Sequence, residues 1–232
     1  MFGTFLRILF PELCPVCERP SRDHKTAPIC SPCWQAIEPY YGPICDICGK
    51  PLASEVSRTC SDCLKSKPAF TWARSFGLYE GTLKESLHHL KYYGIRRLAK
   101  PLSEMMFTIH LPQADAMIPV PLHKKKLRKK EFNHSALLAR YLSYNTGIPL
   151  VLSSLVKIKD TAPQVGLNAR HRRSNLKGSF RVVKRNSIEG KNIVLIDDVF
   201  TTGTTARECS RLLMKAGAKN IYVLLLAHSR GD

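Results

Sequence analysis

The sequence lacks any long apolar segment. No stretch of its 232 residues approaches the roughly 18 unbroken apolar residues that predict a membrane-spanning helix. We therefore expect a soluble chain. The opening residues, MFGTFLRILFPELC, also lack the form of a secretion signal, because Arg7 interrupts the apolar run and Pro11 ends it.

The same opening segment has the pattern of a short amphipathic helix. Its large apolar residues fall on one helical face: Phe2, Phe5, Leu6 and Leu9. The interpretation that we favour is that this face packs on the body of the protein. A weak membrane-surface anchor is the alternative, although a helix of two turns binds lipid poorly.

Acidic residues are scarce. The chain has 18 Asp and Glu against 36 Lys and Arg, which gives a formal net charge of +18 at pH 7. An excess of this size attracts polyanions before any specific contact forms. Nucleic acid, phosphorylated metabolites and anionic lipid head groups are therefore the partners that the composition favours.

Cysteine is nearly absent after residue 63. Cys209 is the exception, and it shares a predicted helix face with Ala206 and Leu213, which indicates a core residue rather than a nucleophile. The other eight cysteines form four Cys-x-x-Cys pairs at nearly equal intervals: Cys14, Cys17, Cys30, Cys33, Cys45, Cys48, Cys60 and Cys63. Without a secretion signal, such pairs predict metal-binding thiolates rather than disulfides.

Eight thiolates supply four ligands to each of two Zn²⁺ ions, which prefer tetrahedral sites. The favoured grouping is sequential, with the first two pairs in one site and the last two in the other. A cross-braced grouping, with the first pair joined to the third, stays open. Closed four-thiolate sites are structural as a rule, because catalytic zinc keeps a position for water. The module either binds nucleic acid or a protein partner, or it uses metal in place of a core that it is too small to build.

From about residue 68, strand-like and helix-like segments alternate. Strands are predicted at ARSFGLYE, DAMIPV, LVKIK, NIVLID and NIYVLLLA, and helices at TLKESLHHLKYY and over residues 98–109, 134–144 and 205–216. The segment after DAMIPV is predicted to be a loop. This alternation implies a mainly parallel sheet with helices on both faces. Ligands bind such sheets beyond the carboxyl ends of the strands.

The stretch NIVLIDDVFTTGTTA places a polar loop at such an end. The loop contains Thr201, Thr202, Gly203, Thr204 and Thr205. At the helix amino terminus that follows, unpaired N–H groups and the helix dipole favour a phosphate. Asp197 and Asp198 precede it, and their carboxylates can accept hydrogen bonds from vicinal hydroxyls, so a ribose 5-phosphate suits both parts. Helix capping is the alternative, but a cap needs only one such side chain.

These segments carry a family resemblance. VLIDDVFTTGTT resembles the phosphoribosyl pyrophosphate loop of type I phosphoribosyltransferases. The whole chain resembles the ComF family, through the cysteine module and through YEGTLKESLHHLKYYG, IPVPLHKKKLRKKEFNHSALLAR and KIKDTAPQVGLNARHRRSNLKGSF. The resemblance implies that Asp197 and Asp198 hold the ribose hydroxyls, that residues 201–205 cradle the 5-phosphate, and that Mg²⁺ accompanies the pyrophosphate of phosphoribosyl pyrophosphate.

The resemblance also implies a role in natural transformation. The protein would handle incoming single-stranded DNA together with DNA-uptake proteins. Its expected location is cytoplasmic, at the inner face of the membrane.

A pyrophosphate loop is implied after Pro121, and the residues there suit an anion. Lys124 and Arg128 belong to HKKKLRKK, and Lys91 is a further candidate contact for pyrophosphate. Six cations in one segment exceed what a pyrophosphate needs, which suggests a mobile lid or a nucleic-acid track. The residues Arg170, Arg172 and Arg173 raise the same possibility. A solvated basic loop is the plain alternative.

Three details stay open at this level. Glu131 stands where the family usually has glycine, so the backbone turn is expected to differ there. The spacing of the histidines selects no proton carrier among His88, His89, His123 and His134. No base-reading segment or amino-terminal cysteine glutaminase is recognisable, and the acceptor of a phosphoribosyl group is therefore not identified.

The sequence thus predicts an α/β protein of the type I phosphoribosyltransferase class. A mainly parallel sheet with helices on both faces occupies residues 67–232, and a helix and double zinc ribbon occupy residues 1–66. Two functions stay open. One is phosphoribosyl transfer, and the other is non-catalytic binding of ribose phosphate or nucleic acid by a protein whose zinc ribbon docks partners.

Overall fold

The structure is a computed structural model, and it describes residues 12–161 and 176–230. The predicted amphipathic helix between Phe2 and Leu9 lies outside these ranges. So do Arg170, Arg172 and Arg173. Within the described ranges, no helix is both long enough and apolar enough to cross a lipid bilayer.

The cysteine-rich part is built from two similar units. Each opens with a Cys-x-x-Cys turn that is closed by an antiparallel bridge, Leu13 with Pro20 in the first unit and Ile44 with Pro51 in the second. Each then ends in a five-residue helix, α1 (Ser31–Gln35) or α2 (Ser61–Lys65), whose preceding residue is the third cysteine of the unit. This repeat matches the equal spacing of the cysteine pairs.

The central sheet is parallel, as predicted. The strands of the chain are β1 (Trp72–Leu78), β2 (Ala116–Pro119), β3 (Leu155–Lys157), β4 (Phe180–Val182), β5 (Asn192–Ile196), β6 (Val199–Phe200) and β7 (Asn220–His228). The order is β1-β7-β5-β2, with β6 also paired to β7, and every pairing is parallel. Strands β3 and β4 form a separate antiparallel pair.

The longer helices agree with the sequence pattern, with one exception. They are α3 (Gly81–Tyr92), α4 (Ala99–Phe107), α5 (Lys124–Lys130), α6 (His134–Thr146) and α7 (Thr204–Lys215). The exception is α5, because the loop predicted there is wrong. Lys, Arg and Leu are good helix formers, and two of the crowded cations are anchored: Lys126 Nζ donates to Thr161 O at 2.7 Å and Lys130 Nζ donates to Lys91 O at 2.9 Å.

Both faces of the sheet are covered, as predicted. Along β5 the side chains alternate, so that Ile193 and Leu195 enter one core and Val194 and Ile196 enter the other. Helices α3, α4 and α6 cover the second face. The first face is covered by α7 together with the second group of cysteines, which therefore shares a hydrophobic core with the sheet.

The cysteine-rich part also pairs with the outer edge of β1. Tyr40 N donates to Phe76 O at 2.9 Å, and Ala73 N donates to Ile47 O at 2.7 Å. These bonds satisfy backbone groups that an edge strand would otherwise expose. The predicted division between residues 66 and 67 stays a prediction.

Candidate functional site

The eight paired cysteines form two clusters. One contains Cys14, Cys17, Cys30 and Cys33, and the other contains Cys45, Cys48, Cys60 and Cys63. Within each cluster the sulfur atoms all lie within 4.8 Å of one another. The sequential grouping is therefore confirmed, and the cross-braced alternative is wrong.

Both clusters fit structural zinc. Four sulfurs at these separations can surround one Zn²⁺ with Zn–S bonds of about 2.3 Å, and four protein ligands leave no position for water. Burial raises the pKa of Cys14, but N–H groups such as that of Cys30 bring it down to about 6. Burial likewise raises the pKa of Cys45, and N–H groups such as that of Cys48 bring it to about 7. Each cluster thus favours a thiolate near neutral pH.

Cys209 behaves as the sequence indicates. It is fully buried in the core beneath α7, and burial raises the pKa of its thiol well above the ordinary value. A protonated, inaccessible thiol is a poor nucleophile.

The polar loop that follows β5 borders a cavity of about 850 Å³. The cavity lies beyond the carboxyl ends of three strands, since its lining includes Tyr79 after β1, Val120 after β2 and Asp197 after β5. Gly203 has φ of 68°, and a Cβ there would collide with the ring of Phe200. Both the left-handed backbone and the close ring therefore require glycine.

The predicted phosphate cradle faces this cavity. Thr201, Gly203, Thr204 and Thr205 line it, whereas the Thr202 hydroxyl lies 2.8 Å from that of Thr204 behind the lining. Helix α7 begins at Thr204, and among the described residues no side chain caps its amino terminus. Its first N–H groups are therefore available to an anion.

Asp198 is the centre of a buried charge cluster. Its Oδ1 lies 2.8 Å from Lys91 Nζ, and its Oδ2 lies 2.7 Å from His134 Nε2. Asp198 is only 5% exposed. Burial favours the protonated acid, but Lys91 and His134 overcome this and hold the pKa of Asp198 well below its usual range. Asp198 is therefore a permanent anion, and Lys91 is fixed at the cavity wall by it.

Asp197 differs from its neighbour. Its Oδ1 accepts a hydrogen bond from Ser135 Oγ at 3.1 Å. Burial and the adjacent charge of Asp198 raise the pKa of Asp197 to about 6. One of the two predicted ribose ligands is thus always ionised, while the other changes charge near neutral pH.

The cations of α5 separate onto two sides of the helix. Lys126, Lys129 and Lys130 line the cavity, whereas the predicted contacts Lys124 and Arg128 are exposed and lie outside the lining. Positions three or four residues apart share a helix face, and a segment taken for a loop gives no such sorting.

Several cavity residues escaped the sequence reasoning. His134, Ser135 and Lys157 belong here, with His134 and Lys157 in the lining and Ser135 bonded to Asp197. Asn133 accepts from the N–H groups of Ser135 and Ala136, so it caps α6 and places His134 in the first turn. An Asn before an apolar periodic segment is a recognisable helix start, but its proximity to Asp198 is a tertiary fact.

Glu131 ends α5 with φ of 63°, the left-handed conformation that glycine favours. The backbone therefore forms a glycine-like turn in spite of the side chain, at a cost of about 1 kcal/mol or more. An ion pair with Arg96 at 2.9 Å holds the Glu131 carboxylate at the surface.

Two domain families match the chain. The double zinc ribbon domain matches residues 5–64, and the phosphoribosyl transferase domain matches residues 135–231. Competence protein F of Haemophilus influenzae is 31% identical over 210 residues, which cover 87% of this chain and 90% of that protein. The DNA utilization protein YhgH of Salmonella typhi is 30% identical over 227 residues, 94% of this chain and 98% of its own.

One solved structure is also similar in part. It is a glutamine phosphoribosylpyrophosphate amidotransferase from B. subtilis, at 27% identity and a TM-score of 0.39, covering 54% of this chain and 25% of that one. The fold assignment rests on the parallel sheet and on the two domain matches.

Proposed function

The chain belongs to the ComF/YhgH competence family, and on that premise we propose that its cavity binds phosphoribosyl pyrophosphate with Mg²⁺ and that the protein handles single-stranded DNA during DNA uptake. The observation that carries the first part is the meeting, in one cavity, of an uncapped helix amino terminus with two adjacent carboxylates and a buried lysine. The names of the relatives, a competence protein and a DNA utilization protein, support the second part.

Each part of the ligand has a complement in the cavity. The 5-phosphate accepts hydrogen bonds from the α7 N–H groups and from the hydroxyls of Thr201 and Thr205. The ribose hydroxyls donate to Asp197 and to the remaining lone pairs of Asp198. Lys91 lies beside Asp198 and presents its charge to the pyrophosphate.

Mg²⁺ suits this arrangement because it prefers oxygen ligands and is usually held by one or two carboxylates together with substrate phosphates. It would neutralise charge on the pyrophosphate. The chain's own share in a transfer reaction is to position the ribose and to place cations beside the departing pyrophosphate. Lys91, Lys126 and Lys130 are the cations closest to that task, because all three line the cavity.

Ligand-induced thermal stabilisation tests the proposal. Phosphoribosyl pyrophosphate with Mg²⁺ should stabilise the fold by about 2.7 kcal/mol at a hundred times its dissociation constant, since it binds only the folded state. Asp198→Asn should weaken this shift, measured against the unliganded variant, because the variant itself loses the buried pairing. Asp115→Asn is the matched control, as Asp115 lies before β2 at the opposite end of the sheet. No shift in the unaltered protein would refute the proposed ligand.

A second candidate is a binding protein without catalysis, whose cysteine module docks a protein partner. The favouring observation is that Tyr41, Val56 and Leu64 of this module are 88%, 93% and 73% exposed. Consumption of labelled phosphoribosyl pyrophosphate in the presence of Mg²⁺, DNA, bases and amines separates the two. Binding without any consumption would support the second candidate.

A further inference from the structure

Two neighbouring tyrosines stand exposed at the mouth of the cavity. Tyr92 is the last residue of α3 and Tyr93 follows it, and both belong to the cavity lining. They are 56% and 64% exposed. We call this pair the aromatic rim. Neither ring serves the core, and neither has a role in the proposed ribose-phosphate site.

The rings of the rim are held from behind by histidines. His88 lies 4.7 Å from Tyr92 between ring centroids, and His89 stacks on Tyr93 at 4.7 Å with an interplanar angle of 24°. Rings that are already oriented lose little conformational entropy when another flat group stacks on them. The arrangement therefore suits a planar aromatic ligand.

Cations stand next to these rings. Lys130 Nζ lies 4.7 Å from the centre of the Tyr92 ring, and Lys129 on the same helix is exposed and also lines the cavity. The acidic members of the lining are few, and Glu131 and Asp198 are already paired with Arg96 and Lys91. Aromatic faces alternating with unpaired lysines are the features by which proteins hold single strands, through base stacking and phosphate contacts.

We propose that the aromatic rim is the binding site for unpaired bases of single-stranded nucleic acid, with Lys129 and Lys130 against the adjoining phosphates. A duplex hides its base faces, so stacking on the rim selects a single strand. The inference rests on the DNA handling in the proposed function, and it does not depend on phosphoribosyl pyrophosphate. Because Lys130 bonds to Lys91 O and Lys91 pairs with Asp198, the strand lies at the opening of the ribose-phosphate cavity.

Fluorescence anisotropy with a labelled single-stranded oligothymidylate tests the rim over a series of salt concentrations. The variant Tyr92→Ala/Tyr93→Ala should bind about tenfold more weakly, because each lost base stack is worth about 1–3 kcal/mol. Its salt dependence should match that of the unaltered protein, because no phosphate contact is removed. Lys129→Gln/Lys130→Gln should instead flatten the salt slope by up to about 1.4 for two lost phosphate contacts.

Two further variants make the result specific. Tyr92→Phe/Tyr93→Phe keeps both rings and should bind like the unaltered protein. Tyr144→Ala removes a ring that is 89% exposed on α6 and outside the cavity lining, and it should also bind normally. The Phe variant also shows whether a loss in the Ala variant comes from missing rings or from a disturbed α3.

Three outcomes would overturn the inference: unchanged affinity in the double Ala variant, equal weakening in the double Phe variant, or equal competition by duplex DNA. If the unaltered protein does not bind the strand at all, both the rim and the DNA part of the proposed function fail. Titration of the same variants with phosphoribosyl pyrophosphate tests the other part separately, because the rim variants should retain it.

Discussion

Arg207 reaches from the helix of the phosphate loop to the second cysteine cluster. Its Nη2 donates to Cys63 Sγ at 3.6 Å, and its Nη1 donates to Ser66 O at 2.6 Å. Arg207 lies in the first turn of α7, where its own N–H bonds to Gly203 O. One side chain thus joins the zinc-binding part of the chain to the proposed phosphate site.

We predict that Arg207→Gln loosens zinc at the second cluster. A guanidinium next to a thiolate stabilises the charge that metal binding requires, and loss of such outer contacts typically costs about 10–100-fold in metal affinity. The rate of zinc release to a chromogenic chelator measures this. Arg211→Gln is the control, because Arg211 lies on the same helix but pairs with Glu208. Equal release from both variants would show that the Arg207 contact does not support the metal.

The two clusters should differ in what their loss does to the sheet. Cys60 lies in the core that the second cluster shares with α7 and β5, whereas Cys30 lies in a small separate cluster with Cys14 and Ile29. Cys60→Ser should therefore lower the main unfolding temperature far more than Cys30→Ser. Calorimetry with elemental analysis checks this, with two zinc ions in the unaltered protein and about one in each variant. Equal lowering by the two substitutions would contradict the shared core.

Asp197 should make stability depend on pH. Because folding raises its pKa from 3.8 to about 6, the stability that it contributes is present below pH 4 and is lost as pH rises through 6. Asp197→Asn removes this loss and keeps an acceptor for Ser135. The variant should gain up to about 3 kcal/mol near pH 8 and about half of that near pH 5. Urea unfolding of both proteins at the two pH values measures the difference, and a gain independent of pH would disprove the shifted pKa.

Gly203 should tolerate no side chain. Gly190→Ala provides a matched control, because Gly190 has φ of 72° and no atom within 4 Å of an added Cβ. That variant should lose about 1 kcal/mol to left-handed strain alone. Gly203→Ala has the same strain and also displaces the Phe200 ring, so it should lose more and should bind phosphoribosyl pyrophosphate less tightly. Equal unfolding free energies for the two variants would argue against the close ring contact.

Local spacing determined much of this protein from its sequence. Four Cys-x-x-Cys pairs imply two four-thiolate sites whatever the fold, because two residues between thiols suit one tight turn. The alternation of strand and helix patterns likewise implied a parallel sheet, whose polar loop must stand at a carboxyl end. The positions of Asp197, Asp198 and Gly203 followed directly from that.

Only the tertiary structure decided which side chains share the cavity. The partnership of Lys91 and His134 with Asp198 joins positions far apart in sequence, and no local pattern records such a contact. Which lysines of HKKKLRKK face the cavity depended on a helix that its repeated charges concealed. The cysteine module likewise became part of the sheet's core through contacts such as Arg207 with Cys63, because burial of the sheet face required a cover that α7 alone does not supply.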